Sequence, residues 1–355
     1  MTRPDELSIN ILHSSDIKNI DNNMWDKLSN SSIYKNPFYE RWNLVPAAHY
    51  LNESDDIYIV TIQKKDNLTC LYPIVLKSTF MGCYIEFWKH DHCYESTPLI
   101  SNKKDFKWSI EQVAKSLNAS FILIDLHKDS LLSDNNTRYF SAPYNRAYIH
   151  DSCTLKDHSN NVKGKERREL NRLRRNLQHD YAIEFYEDHK ASSALNQYIQ
   201  LEDNGWKGKK KGSINSKTQV RKYYEEMATY ADTHKNMAFQ VLAADNKIIA
   251  MGIRIVSGNN YFEIKTSYDE SFKKYAPGKI LEYLILESLA SKKNIEIDSC
   301  THHNNTLINK IWPDKQVYFR TFIFSNSFLG NLYRVAYSLK QLYTCQLKSR
   351  FLTSS

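Results

Sequence analysis

From Asp55 the chain reads DDIYIVTIQ, and from Leu68 it reads LTCLYPIVLK. Both runs alternate apolar and polar positions, and the turn-forming KKDN lies between them, a pattern that predicts a β-hairpin. Residues 106–118 place apolar side chains at helical spacing, and ASFILIDLH at 119–127 is the short apolar run of a buried strand. The second half opens with a helix over 165–179, then the strand AIEFYED and helices over 190–204 and 216–233. Residues 237–268 predict three antiparallel strands joined by tight turns at Asp245-Asn246 and Gly258-Asn259. Past Pro277-Gly278 come a helix to about 293, the strand IEIDSC, a short helix near 305–311, the strand QVYFRTFIFS, and an amphipathic helix over 328–350. That order predicts an α+β fold built around a mixed, mostly antiparallel sheet flanked by helices.

Composition narrows the classes. The length of 355 residues fits two domains, and the polar stretch 151–164 divides the chain into 1–155 and 156–355. With 41% apolar and 13% aromatic residues the chain has ample material for real cores, which argues against a disordered or fibrous reading. No run approaches 18 apolar residues, so no membrane span is expected, and the N-terminus lacks the apolar segment of a secretory signal. Six scattered cysteines without a CxxC pair suit reduced thiols. The expectation is a cytoplasmic protein, with peripheral contact to the inner face of the membrane through the last helix as an alternative.

The net charge of +8 is concentrated at KGKERRELNRLRR, residues 163–175, where a basic patch attracts anionic partners unless it is simply a solvated face. A second feature is FEIKTSYDESFKKYAPGKILEYLILESL at 262–289. The chain holds only 9 glycines, and one stands directly after a proline at a helix start. A helix N-terminus exposes N–H groups and a positive dipole end, so Tyr275, Ala276, Pro277, Gly278 and Lys279 are candidates to cradle a pyrophosphate. The alternative is a plain turn and cap.

The neighbouring residues are similar to those of the BioF2-like (CelD-type) acyltransferases of the GNAT superfamily. The resemblance rests on Tyr268-Asp269 at the strand exit, Tyr275 to Gly278 at the turn, Asp298 on the next strand and Trp312 beyond it. It extends upstream through ERRELNRLRRNL, EDNGWKG, NPFYERW and HCYESTPLI, and so spans most of the chain. It implies tandem GNAT-like domains, of which the second would hold an acyl-CoA cleft. The related Fem-type enzymes share the doubled architecture and take aminoacyl-tRNA instead. The sequence departs from the family where DSCTHHNNTLINKIW lacks the Gly-x-Gly run and places Asn309 where a lysine is usual.

Direct transfer from a thioester to an amine needs a held carbonyl, a proton acceptor and a leaving thiolate. Alternation along 261–267 predicts Tyr261, Glu263, Lys265 and Ser267 on one face, which makes Glu263 a candidate base or half of an ion pair. Asp298 is a second candidate base, or else a cap for the following loop. His302 suits a proton acceptor by its ordinary pKa, while Cys300 with His302 and His303 reads more simply as a small buried thiol beside loop histidines. Trp206, Lys207 and Tyr268 are candidate substrate contacts, the first two from a lysine-rich loop that could cover an acceptor. HDHC at 90–93 has metal-ligand residue types without a structural-zinc layout, so no metal is expected. The reading is a GNAT-type N-acyltransferase with acyl-CoA as co-substrate. Its acceptor is an amine on a small molecule, an amino sugar or a lipid or polysaccharide precursor. The alternatives are transfer from aminoacyl-tRNA, and a non-catalytic acyl-CoA-binding relative.

Overall fold

A computed structural model of the protein describes residues 7–52, 56–127, 139–150, 164–290, 292–302, 304–312 and 314–352. The expected domain boundary at 151–164 lies almost wholly outside these residues, as does His303. The first half contains β1 (Leu7–His13), α1 (Asn22–Ser31), α2 (Arg41–Tyr50), β2 (Ile57–Lys64), β3 (Asn67–Thr79), β4 (Gly82–Phe87), β5 (Leu99–Ile100), α3 (Lys103–Ser116), β6 (Ala119–His127) and β7 (Tyr139–Ile149). The second contains α4 (Gly164–Asp180), β8 (Ile183–Asp188), α5 (Ala191–Asn204), α6 (Trp206–Lys209), α7 (Thr218–His234), β9 (Met237–Ala244), β10 (Lys247–Ser257) and β11 (Asn260–Tyr268). It ends with α8 (Pro277–Leu289), β12 (Glu296–Asp298), α9 (Ile308–Ile311), β13 (Asp314–Phe324) and α10 (Phe328–Leu352).

One sheet runs through both halves in the order β1-β2-β3-β4-β6-β13-β7-β12-β11-β10-β9-β8. Its topology repeats. The strands β1 to β4 pair antiparallel, and β6 then returns parallel to β4 after α3. Likewise β8 to β11 pair antiparallel, and β12 returns parallel to β11 after α8. The repeat has no visible counterpart in the sequence, because a topology needs only matching patterns of burial. The halves also exchange their last strands, since β7 pairs with β12 while β13 lies between β6 and β7.

Local sequence explains the elements that carry the site. Asp245 (φ 48°) and Asn246 (φ 66°) supply the two positive φ angles of a tight hairpin turn, and Gly258 (φ 57°) turns the next one. In α4 the buried residues Leu170, Leu173 and Leu177 form one stripe, so its charges face outward. By contrast α8 is apolar almost all round and is buried on most sides. The strand expected over IEIDSC shortens to Glu296–Asp298, because Cys300 turns into the left-handed region at φ 50° and leaves the ladder.

Candidate active site

The strands β11 and β12 pair over three rungs only, Asn260 with Glu296, Tyr261 with Ile297, and Phe262 with Asp298. Beyond them β12 ends and β11 continues to Tyr268, so the two strands part and leave a wedge along 263–268. At its open end the chain makes a short turn and enters α8. Ala276 adopts a left-handed conformation (φ 51°, ψ 57°), no side chain caps the helix, and Pro277 takes the first position. Lys279 and Ile280 return their N–H groups to Ala276 O. The side chains that flank this turn are used elsewhere. Tyr275 donates to Asp180 and Lys279 pairs with Glu169 at 3.1 Å, both on α4. The Tyr268 ring packs beside Gly278, with Cδ1 3.4 Å from the place a Cβ would occupy.

The alternation expected along β11 fails at one point. The register shifts between Ile253, opposite Lys265, and Arg254, opposite Glu263, so Ile264 is an extra residue. Glu263 and Lys265 therefore do not share a face. Glu263 accepts from Arg254 Nε at 2.5 Å, and the same buried guanidinium donates to Glu187. Burial raises the Glu263 pKa above the usual carboxylate range against the pull of Arg254. Lys265 lies 3.5 Å from the fully buried Glu202 of α5, which also meets Lys207 at 3.3 Å. Lys207 further donates to Thr266 O at 2.8 Å, so one backbone acceptor of the wedge is already taken by the protein.

Asp298 is held by three donors. It accepts from Arg146 Nη1 at 2.8 Å, Tyr318 Oη at 2.7 Å and Cys300 N at 2.7 Å, which ties β12 to β7 and β13. His302 is exposed in the loop past β12, with Nδ1 3.4 Å from Asn304 N. Trp206 is half exposed beside Lys210. Burial pushes the Cys300 thiol well up, away from the thiolate a nucleophile needs.

Two cavities adjoin these residues. One of about 230 Å³ lies beside the last rungs of the β11–β12 pair and is lined by Lys35, Glu95, Tyr148, Phe262, Glu296 and Tyr318. Its carboxylates and aromatic walls suit an amine. The other, of about 320 Å³, lies between the 88–92 and 211–217 segments, with Lys89, His90, His92, Lys211 and Lys217 in its wall. Burial holds His90 and His92 down at about 3, so both are neutral near pH 7. Among the described residues no group of His, Cys, Asp and Glu is placed to hold a metal ion.

Glu282 adjoins the wedge and was missed by motif reasoning, although it is one of two carboxylates in the otherwise apolar run ILEYLILESL. It accepts from Thr266 Oγ1 at 3.2 Å and Trp312 Nε1 at 3.3 Å, bridging β11 and the end of α9. Burial, with the Glu263 charge nearby, raises its pKa to about 7. The folded state thus holds a proton that the unfolded chain has released, so Glu282 lowers stability progressively from about pH 4.5 to 7. Glu282→Gln is expected to be near neutral at pH 5 and stabilising by up to about 3 kcal/mol at pH 8. Urea unfolding of both proteins at the two pH values checks this. Equal differences at both would remove the assignment.

The comparisons with known proteins agree with this geometry. Residues 164–305 match the family described as acetyltransferase (GNAT) domain. The fold is similar to that of FemX, at 9% identity and TM-score 0.54, covering 92% of this chain and 100% of that one. It is also similar to a conserved Bacteroides thetaiotaomicron protein of unknown function, at 11% identity and TM-score 0.53, covering 86% and 98%. No curated protein matches the sequence. The match includes α4, the wedge and the α8 start, and the repeated sheet topology continues on both sides of it. The chain thus has a tandem GNAT-like fold, and its residues 164–305 match the acetyltransferase (GNAT) domain.

Proposed function

We propose that the protein transfers an acyl group from acyl-CoA to an amine, with the donor lying in the wedge and its pyrophosphate at the start of α8. The observation that carries this reading is the uncapped α8 N-terminus standing at the mouth of the wedge, inside the segment that matches the GNAT domain. The amine would approach from the 230 Å³ cavity at the closed end, where Glu95 and Glu296 stabilise a cation before it loses its proton. Its nitrogen attacks the thioester carbonyl, the C–S bond breaks, and the thiolate leaves. No protein nucleophile is required. With Asp298 and Glu263 held by arginines, the exposed His302 past the end of β12 is the group better placed to take the proton. The acceptor is an amine on a small molecule, an amino sugar or a lipid or polysaccharide precursor, and the reaction would take place in the cytoplasm.

A specific observation favours a second donor, aminoacyl-tRNA. Lys207 already occupies the backbone acceptor Thr266 O in the wedge, and α4 presents exposed Arg168, Arg172 and Arg175. Titration separates the two donors. Acetyl-CoA binding by calorimetry supports the first. Binding of charged tRNA that falls steeply with salt, without CoA binding, supports the second.

A further inference from the structure

The β3–β4 hairpin and α10 meet at one end of the molecule. Thr79 Oγ1 and Tyr333 Oη lie 2.7 Å apart, and a Cβ on Gly82 would come within 3.2 Å of Leu329 Cδ1. The Tyr337 ring continues this contact side, 4.8 Å from Phe322 and 6.0 Å from Phe324 of β13. The other side of the helix is apolar and open. Phe328 is 82% exposed, Leu332 41%, Val335 52% and Leu339 61%, at spacings of four, three and four that make one stripe. At the hairpin tip Phe80 is fully exposed and Met81 is 40% exposed. Large apolar side chains uncovered on two adjoining elements mark an interaction surface.

Charge decides what covers it. The chain has 40 Asp and Glu in 355 residues, yet neither 76–84 (LKSTFMGCY) nor the whole of α10 contains one. Both carry basic residues: Lys77 on the hairpin, and Arg334, Lys340, Lys348 and Arg350 on the helix. A second copy would set the same cationic elements against each other across a two-fold axis, where like charges repel. An anionic lipid surface matches both the apolar stripe and its basic surroundings. No described helix is long and apolar enough to cross a membrane, so α10 would lie in the interface plane.

We propose that this end of the protein docks on anionic lipid bilayers, with Phe80 and Met81 entering the headgroup–acyl boundary and the Phe328–Leu339 stripe lying beside them. The docking depends on neither choice of acyl donor. It would bring the enzyme to a surface that can present amine acceptors.

The test is co-sedimentation of the full chain with vesicles of phosphatidylcholine, with and without phosphatidylglycerol. Phe80→Ser and Val335→Asp are compared with wild type, with folding checked by circular dichroism. Both positions are exposed, so neither change opens a core. Wild type is expected to bind the phosphatidylglycerol vesicles, to leave them at high salt, and to bind pure phosphatidylcholine weakly. Each variant is expected to partition at least about tenfold less, the loss that follows from one large apolar side chain no longer inserted. Equal partitioning of wild type and variants would overturn the proposal. So would a wild-type dimer in light scattering that stays off vesicles and that the variants dissociate, because the face would then belong to a second copy.

Discussion

Gly278→Asp is expected to remove donor binding while leaving the fold intact. The added Cβ would stand 3.4 Å from Tyr268 Cδ1, an ordinary contact, and Gly278 has no left-handed backbone that a side chain would strain. A carboxylate near a helix N-terminus also favours the helix slightly through the dipole. Thermal stability should therefore hold or rise a little. The same charge would lie against the donor phosphates and compete with them for the Gly278 N–H. At about 5 Å and an effective dielectric near 20, one such repulsion is about 3 kcal/mol, or roughly a hundredfold in affinity. Calorimetry with acetyl-CoA beside a thermal melt checks both halves. A variant that melts normally and binds like wild type would remove the α8 start as the phosphate site.

Asp298→Ala is expected to be the most destabilising single change in the site. It would leave the Arg146 guanidinium buried over the Tyr318 ring without its carboxylate, and would free Tyr318 Oη and Cys300 N as well. Removing one partner of a buried ion pair costs about 3–5 kcal/mol. At roughly 2–4 °C per kcal/mol for a larger domain, the melting temperature should fall by about ten degrees. The double variant Arg146→Met with Asp298→Ala should recover part of that loss, because no charge is then stranded. Were Asp298→Ala to melt like wild type while turnover collapsed, Asp298 would be a proton acceptor after all.

Much of the second half could be read from its pattern, and the reasons are local. The meander β9–β11 is specified by turn residues that tolerate positive φ, and the α8 start by Pro277 and Gly278. Where the wedge lies was not legible, because β11 and β12 are joined through a whole helix and their pairing stops after three rungs. The two faces of β11 were misassigned at Glu263 and Lys265, since a single bulged residue at Ile264 is invisible to period-two counting. Arg254 stood as a charged residue inside the apolar run GIRIV, and Glu282 inside an apolar helix. Such isolated charges signal a buried network, but their partners Glu187, Glu263 and Trp312 come from three different elements that no spacing connects. The strand exchange of β7 and β13 was equally hidden, as it depends on which edge each half leaves unpaired.

The acyl donor is expected between β11 and the end of β12, with its phosphates on α8. Hydrogen–deuterium exchange with and without saturating acetyl-CoA, or charged tRNA if that is the donor that binds, tests it most directly. Protection should gather on 263–268, 276–280 and 299–302, while the 110–122 and 323–327 segments exchange as before. Protection confined to those latter segments, or spread over the basic helix α4 with the wedge unchanged, would contradict it.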